Sequence, residues 1–151
     1  MMRMSTKSTY AVRALIDLIQ HSEGKPVRLA DIARRQGIPL PFLEQIFLKL
    51  KKAGIVTAIR GPQGGYTTEK SPKEVSLADI VTILEGPLEP VLCSHPENLS
   101  ATCHKVEGCL SRVLCNELDG QLLKVLAKNT LAKLSGDAQK FAALNGPIQL
   151  S

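Results

Sequence analysis

Residues 37–68, GIPLPFLEQIFLKLKKAGIVTAIRGPQGGYTT, decide the fold. Leu43, Ile46, Phe47 and Leu50 recur at the spacing of one helical face, and Pro41, Glu44, Gln45 and Leu48 recur on the opposite side. One face packs and the other is left to read a surface. Gly54 stands where a helix C-cap belongs, Ile55 to Arg60 alternates as a strand, and the glycines of Gly61-Pro62-Gln63-Gly64-Gly65 turn the chain back through Tyr66. The stretch predicts a helix followed by a hairpin.

Upstream, Leu29, Ile32 and Ala33 supply a short apolar face that Gly37-Ile38-Pro39 interrupts just before the next helix. Two helices joined by so short a glycine-containing turn form a helix-turn-helix, whose second helix enters the DNA major groove. The hairpin adds a wing. Glu44 and Gln45 are the side chains suited to base edges, to cytosine and adenine respectively, whereas Lys49, Lys51 and Lys52 carry charge for phosphates. Arg60 and a tight tip containing Gly64 suit a minor groove. A phosphate-cradling loop does not fit, because no Gly-Lys-Ser/Thr follows and both flanks alternate as strands.

Charge supports a nucleic-acid surface. The whole chain is +5, but residues 1–73 hold 13 Lys and Arg against 5 Asp and Glu, while residues 74–151 hold 6 against 9. The basic half is the helix-turn-helix half, the footprint expected where cations displace counterions from DNA. Ser5 or Thr6 caps a first helix reaching about Gln20. On its polar side Arg3, Lys7 and Arg13 are either phosphate contacts or solvated residues.

Ser76 and Asp79 form a capping box for a helix carrying Ile80, Ile83 and Leu84, which stops at Glu85-Gly86-Pro87. All four cysteines, Cys93, Cys103, Cys109 and Cys115, then fall within 23 residues. Clustered thiols of this kind point to metal or redox chemistry rather than structural disulfides in a reducing compartment. From Leu110 the helical period returns through Leu114, Leu118, Leu122, Val125, Leu126 and Leu134. A helix of about 37 Å is too long for so small a domain to cover, so its stripe predicts a homodimer. The expected organisation is mainly α, with a winged helix-turn-helix over 1–85, a cysteine loop over 86–109, a dimerisation helix over 110–135 and a tail over 136–151 that can add a short helix before fraying at Asn145-Gly146-Pro147. With neither a signal peptide nor a membrane span in the sequence, the expected location is the cytoplasm. No nucleophile and base pair stands at a recognisable spacing, so neither an enzyme nor a small-molecule substrate is expected.

The segments MRMSTKSTYAVRAL, LADIARRQGIPLPFLEQIFLKLKKAGIV and RGPQGGY, with a cysteine loop before a long helix, resemble the Rrf-two family of bacterial transcription regulators. The resemblance runs from Met2 to about Leu134 and is strongest to the family's iron-sulfur cluster regulators. It implies a winged helix-turn-helix dimer on double-stranded operator DNA, controlling iron-sulfur assembly or iron homeostasis genes. It also implies an iron-sulfur cluster, 2Fe-2S in preference to 4Fe-4S, on Cys93, Cys103 and Cys109. A second register would use Cys103, Cys109 and Cys115. Arg112 stands where those regulators carry a histidine ligand and cannot ligate iron, which leaves Cys115, His104 or His95 as fourth ligand. Glu44, Gln45 and Arg60 match the family's DNA-reading positions, while Pro41 replaces a serine. A cluster-free thiol, zinc or partner-protein sensor of the cysteine-metabolism type is the alternative.

Overall fold

The computed structural model describes residues 5–86 and 109–145. Arg3, Cys93, His95, Cys103 and His104 lie outside the described residues. The chain opens with α1 (Thr6–His21), capped by the Ser5 hydroxyl, which accepts from the Ser8 N–H. Then come α2 (Leu29–Gln36), α3 (Leu40–Lys52), β1 (Val56–Ile59), β2 (Gly65–Thr68), α4 (Leu77–Glu85), α5 (Leu110–Lys128) and α6 (Leu131–Asn145).

The turn between α2 and α3 is set by Gly37, at φ 62°, a left-handed conformation that glycine adopts without a Cβ penalty. Its N–H and that of Ile38 close the end of α2 on carbonyls of the last turn. Pro39 caps the next helix, and Pro41 sits in its first turn, where no helical N–H is needed. The predicted inner face holds: Leu43, Ile46, Phe47 and Leu50 are all buried. They pack in one core with Ala11, Ala14, Leu15 and Leu18 of α1, Ile32 of α2 and Ile80 of α4.

The two strands form an antiparallel hairpin in which Val56 faces Thr68 and Ile59 faces Gly65. Its root is docked on the segment before α2. Val27 N–H donates to Tyr66 O at 2.9 Å, and Tyr66 N–H donates to Val27 O at 2.8 Å. The approach is close enough to require glycine next door, because a Cβ on Gly65 would lie 2.5 Å from Val27 O. Below the hairpin, the Phe47 and Tyr66 rings meet edge to face with centroids 5.0 Å apart.

The capping box at the start of α4 forms as its sequence indicates, with Ser76 and Asp79 exchanging side-chain and backbone hydrogen bonds. The C-terminal region departs from expectation. The leucine period predicts one helix over about 110–135, but α5 ends at Lys128 and α6 begins at Leu131. Asn129 leaves the helical region at ψ 100°, and its amide donates to Val125 O at 2.7 Å. The Thr130 hydroxyl accepts from the Lys133 N–H, and Ser76 bridges Thr130. The break therefore lets Leu131 turn into the core of the N-terminal helices, where it is buried. The second helix runs on to Asn145, so the short helix expected in the tail from Gly136 is the continuation of α6. Consequently the predicted single stripe is divided. Leu126 is buried within the chain, Leu122 and Leu134 are half-buried, and Leu110, Val113, Leu114, Leu118 and Val125 are exposed. No helix among the described residues is long and apolar enough to cross a membrane.

Candidate nucleic-acid interface

With its inner face consumed by the core, α3 presents Pro41, Glu44, Gln45, Leu48 and Lys52 to solvent as one stripe, since at 100° per residue they fall within about 100° of arc. Lys51 is exposed beside it. Lys7, at the start of α1, joins Gln45 and Lys49 around a narrow cleft that Phe42, Ile46 and Leu84 complete. Lys49 is engaged differently from its neighbours: its Nζ donates to Leu84 O at 3.3 Å.

Arg60 is exposed where β1 leads into the tip, and Gly64 donates from its N–H to Gly61 O at 3.0 Å. The tip is tethered from outside the hairpin as well, because Arg28 Nη2 donates to Pro62 O at 2.8 Å. Between α2 and the wing lies an open cleft of about 590 Å³ whose lining includes His21, Lys25, Arg28, Asp31, Arg35 and Gln63. Lys25 and Arg28 add two cations beside the wing that the sequence pattern did not select. They lie in a polar turn without period, which the Val27–Tyr66 pairing and the Arg28–Pro62 bond bring to the hairpin.

The helix-turn-helix is braced from behind by Asp17, which is only 2 % exposed. Its carboxylate accepts from Arg35 Nε at 3.1 Å and from Gln36 Nε2 at 2.9 Å. The Arg35 guanidinium is pushed above its ordinary range, chiefly by this hydrogen bond and, against the opposing cost of burial, by the charges of Asp17 and Asp31. Arg13 bonds both the side chain and the backbone carbonyl of Gln36, so it is structural rather than a free cation. Together these contacts fix the angle between α1 and α2.

Of the candidate metal ligands, Cys109 and Cys115 are described, and neither is in a disulfide. Cys109 is the N-cap of α5. The Arg112 N–H donates to the Cys109 backbone carbonyl at 3.1 Å and no hydrogen bond is made to the side chain as a cap, but the nearby N–H groups of Arg112 and Ser111 hold the thiol below its ordinary range, against a smaller cost of desolvation and with help from the Arg112 charge. That is the donor chemistry a soft metal centre needs, because the thiolate is the ligand. Cys115 is half-buried six residues further on, a rise of about 9 Å along the helix, whereas Arg112 is within one turn of Cys109. Among the described residues no three His, Cys, Asp or Glu side chains cluster as a metal site.

The Rrf2 family model, described as an iron-dependent transcriptional regulator, matches residues 4–137. The HTH-type transcriptional regulator IscR of Serratia proteamaculans is 38% identical over 133 residues, covering 88% of this chain and 79% of that protein. IscR of Yersinia enterocolitica is 37% identical over the same length. Among solved structures, T. potens IscR superposes with a TM-score of 0.73 at 34% identity, covering 93% of this chain and 90% of that one. CymR, the global cysteine regulator of B. subtilis, superposes with a TM-score of 0.77 at 30% identity, covering 90% and 98%.

Proposed function

This chain belongs to the Rrf2 family of transcription regulators, and from that premise we propose that it binds operator DNA as a homodimer and senses iron-sulfur cluster status through its cysteine segment. The observation that carries the DNA reading is the division of α3 into a buried face and an outward stripe, flanked by Lys51 and Lys7 and by a docked, basic wing. In this reading Glu44 and Gln45 contact base edges, Arg60 enters a minor groove, and Lys7, Lys51 and Lys52 neutralise phosphates. Two recognition helices meet half-sites spaced by about 34 Å, one turn of the duplex. The exposed leucines of α5 supply the seam between protomers.

The sensing part rests on Cys109, whose position at the start of α5 and lowered thiol range suit metal ligation, with Cys93 and Cys103 as the other thiolates. Those three thiolates would hold the cluster, which would supply iron- and redox-sensitive chemistry there. The chain's own residues carry the response onward. The cysteine segment joins α4 to α5, which pack together, and the last turn of α4 is bonded to α3 through Lys49 and to α1 through Glu85. Regulated genes would be those for iron-sulfur assembly or iron homeostasis, in the cytoplasm.

The test is anaerobic purification with visible spectrum, iron, sulfide and zinc content, for wild type, Cys103→Ala and Cys109→Ala. Charge-transfer bands with equal iron and sulfide, lost in both variants, support the reading. A colourless, iron-free protein after anaerobic reconstitution overturns it. The second reading, a cluster-free thiol, zinc or partner-protein sensor on the same scaffold, is favoured by the TM-score of 0.77 to the cysteine regulator and by Arg112.

A further inference from the structure

We propose that Leu48 reads the methyl group of a thymine in the major groove, so that it sets sequence preference alongside Glu44 and Gln45. The inference deepens the DNA-binding reading above and rests on it. Leu48 is 52% exposed, although it sits in the middle of a well-packed helix. It is not displaced core: the inner face is completed by Leu43, Ile46, Phe47 and Leu50, which lie on the far side of α3. On the outward stripe it occupies the centre, one turn after Glu44, three residues after Gln45 and one turn before Lys52.

The chemistry around Leu48 narrows its occupant. A docking site for another protein needs a contiguous surface, of the order of 800 Å² on each partner. Here one leucine is enclosed on its own helix by a carboxylate, an amide and an ammonium group, so the apolar patch is a few atoms wide. The matching group must be small and apolar yet sit among hydrogen-bonding and anionic neighbours. On the floor of the major groove that group is the C5-methyl of thymine, whose neighbouring adenine presents the N6 and N7 edge that Gln45 can bond. A leucine at this position also makes the stripe selective in the negative sense, since it offers nothing to the amino group of cytosine.

The experiment removes the methyl and nothing else. Duplexes selected by the wild-type protein from a randomised library are remade with each thymine replaced singly by deoxyuridine, which keeps base pairing and every hydrogen-bonding atom. The expected result is a thymine in the half-site whose loss of methyl weakens wild-type binding about fourfold, the contribution of one buried methyl-sized group. Leu48→Ala should bind the thymine and uracil duplexes equally, at about the affinity of wild type for uracil. The wild-type series needs no variant, and the exposed position leaves the core of Leu48→Ala intact. Indifference of wild type to every replacement, or a penalty that persists in Leu48→Ala, overturns the role of Leu48 while leaving DNA binding standing. Failure to select any duplex overturns the DNA-binding reading and this inference with it.

Discussion

Lys49 Nζ and the carbonyl oxygen of Leu84 lie 3.3 Å apart, so the ammonium end of this exposed lysine of α3 is held on the last turn of α4. A cation is favoured at that place by the partial negative charge of a helix C-terminus. Lys51 and Lys52 remain exposed. Three lysines within four positions therefore divide into one that positions the helix and two that are available to phosphates.

Replacing Lys51 and Lys52 together with Gln should lower the slope of log affinity against log salt by about two, roughly 0.9 for each phosphate no longer neutralised. Lys49→Met should leave that slope nearly unchanged while weakening binding at every salt concentration. Fluorescence anisotropy titrations across a salt series distinguish the two outcomes, and a slope that falls equally in both variants would place Lys49 on the DNA.

Asp17→Asn should destabilise the fold by about 2–4 kcal/mol, because it leaves the Arg35 guanidinium without its carboxylate in a partly buried site. Urea unfolding measures the loss, and a change below about 0.5 kcal/mol would mean that solvent screens this pair as it does surface ones.

Acid should loosen the packing of α1 against α4. The Glu85 carboxylate accepts from the Ser5 and Ser8 hydroxyls. Desolvation there opposes ionisation, but those bonds, the Ser5 backbone N–H and the Lys7 charge outweigh it and hold the group below its ordinary 4.5. A carboxyl depressed in the folded state stabilises above its unfolded value, and that contribution is lost as pH falls through the folded one. The melting temperature should therefore drop more steeply below about pH 4.5 in wild type than in Glu85→Gln, with the two curves running parallel near neutrality.

Leu118 is 55% exposed on α5 and is a sharper probe of the proposed protomer seam than half-buried Leu122. Leu118→Glu should shift the protein to monomer in sedimentation velocity with its melting behaviour largely kept. A variant that stays dimeric at micromolar concentration would move the seam to another face.

The helix-turn-helix was readable from sequence because its signals are local. The 3.6 period of Leu43, Ile46, Phe47 and Leu50, the glycine at 37 and the Ser76–Asp79 cap each act within a few residues. The limits of α5 were not, since the leucine period runs straight through a break made by tertiary contacts: Leu77 N–H donates to Asn129 O and Leu131 N–H to Val75 O. The polar pair Asn129-Thr130, with Thr130 at a capping distance from Lys133, was the signal that could have shown it. Lys25 and Arg28 escaped for a similar reason, as their place beside the wing depends on Val27 pairing with Tyr66 across 39 positions of chain.

The docking of the wing root also separates what this scaffold can vary from what it cannot. At Gly65 an added methyl would collide with the Val27 carbonyl, so the root admits almost no change. Within the tip Gly64 is held as tightly, since a Cβ there would lie 2.2 Å from Ile59 O, but Gln63 and Arg60 stand in solvent. New binding preferences can be acquired there by ordinary point substitution without disturbing how the hairpin is seated. Specificity and architecture thus mutate on separate residues, which leaves room for one fold to serve many operators.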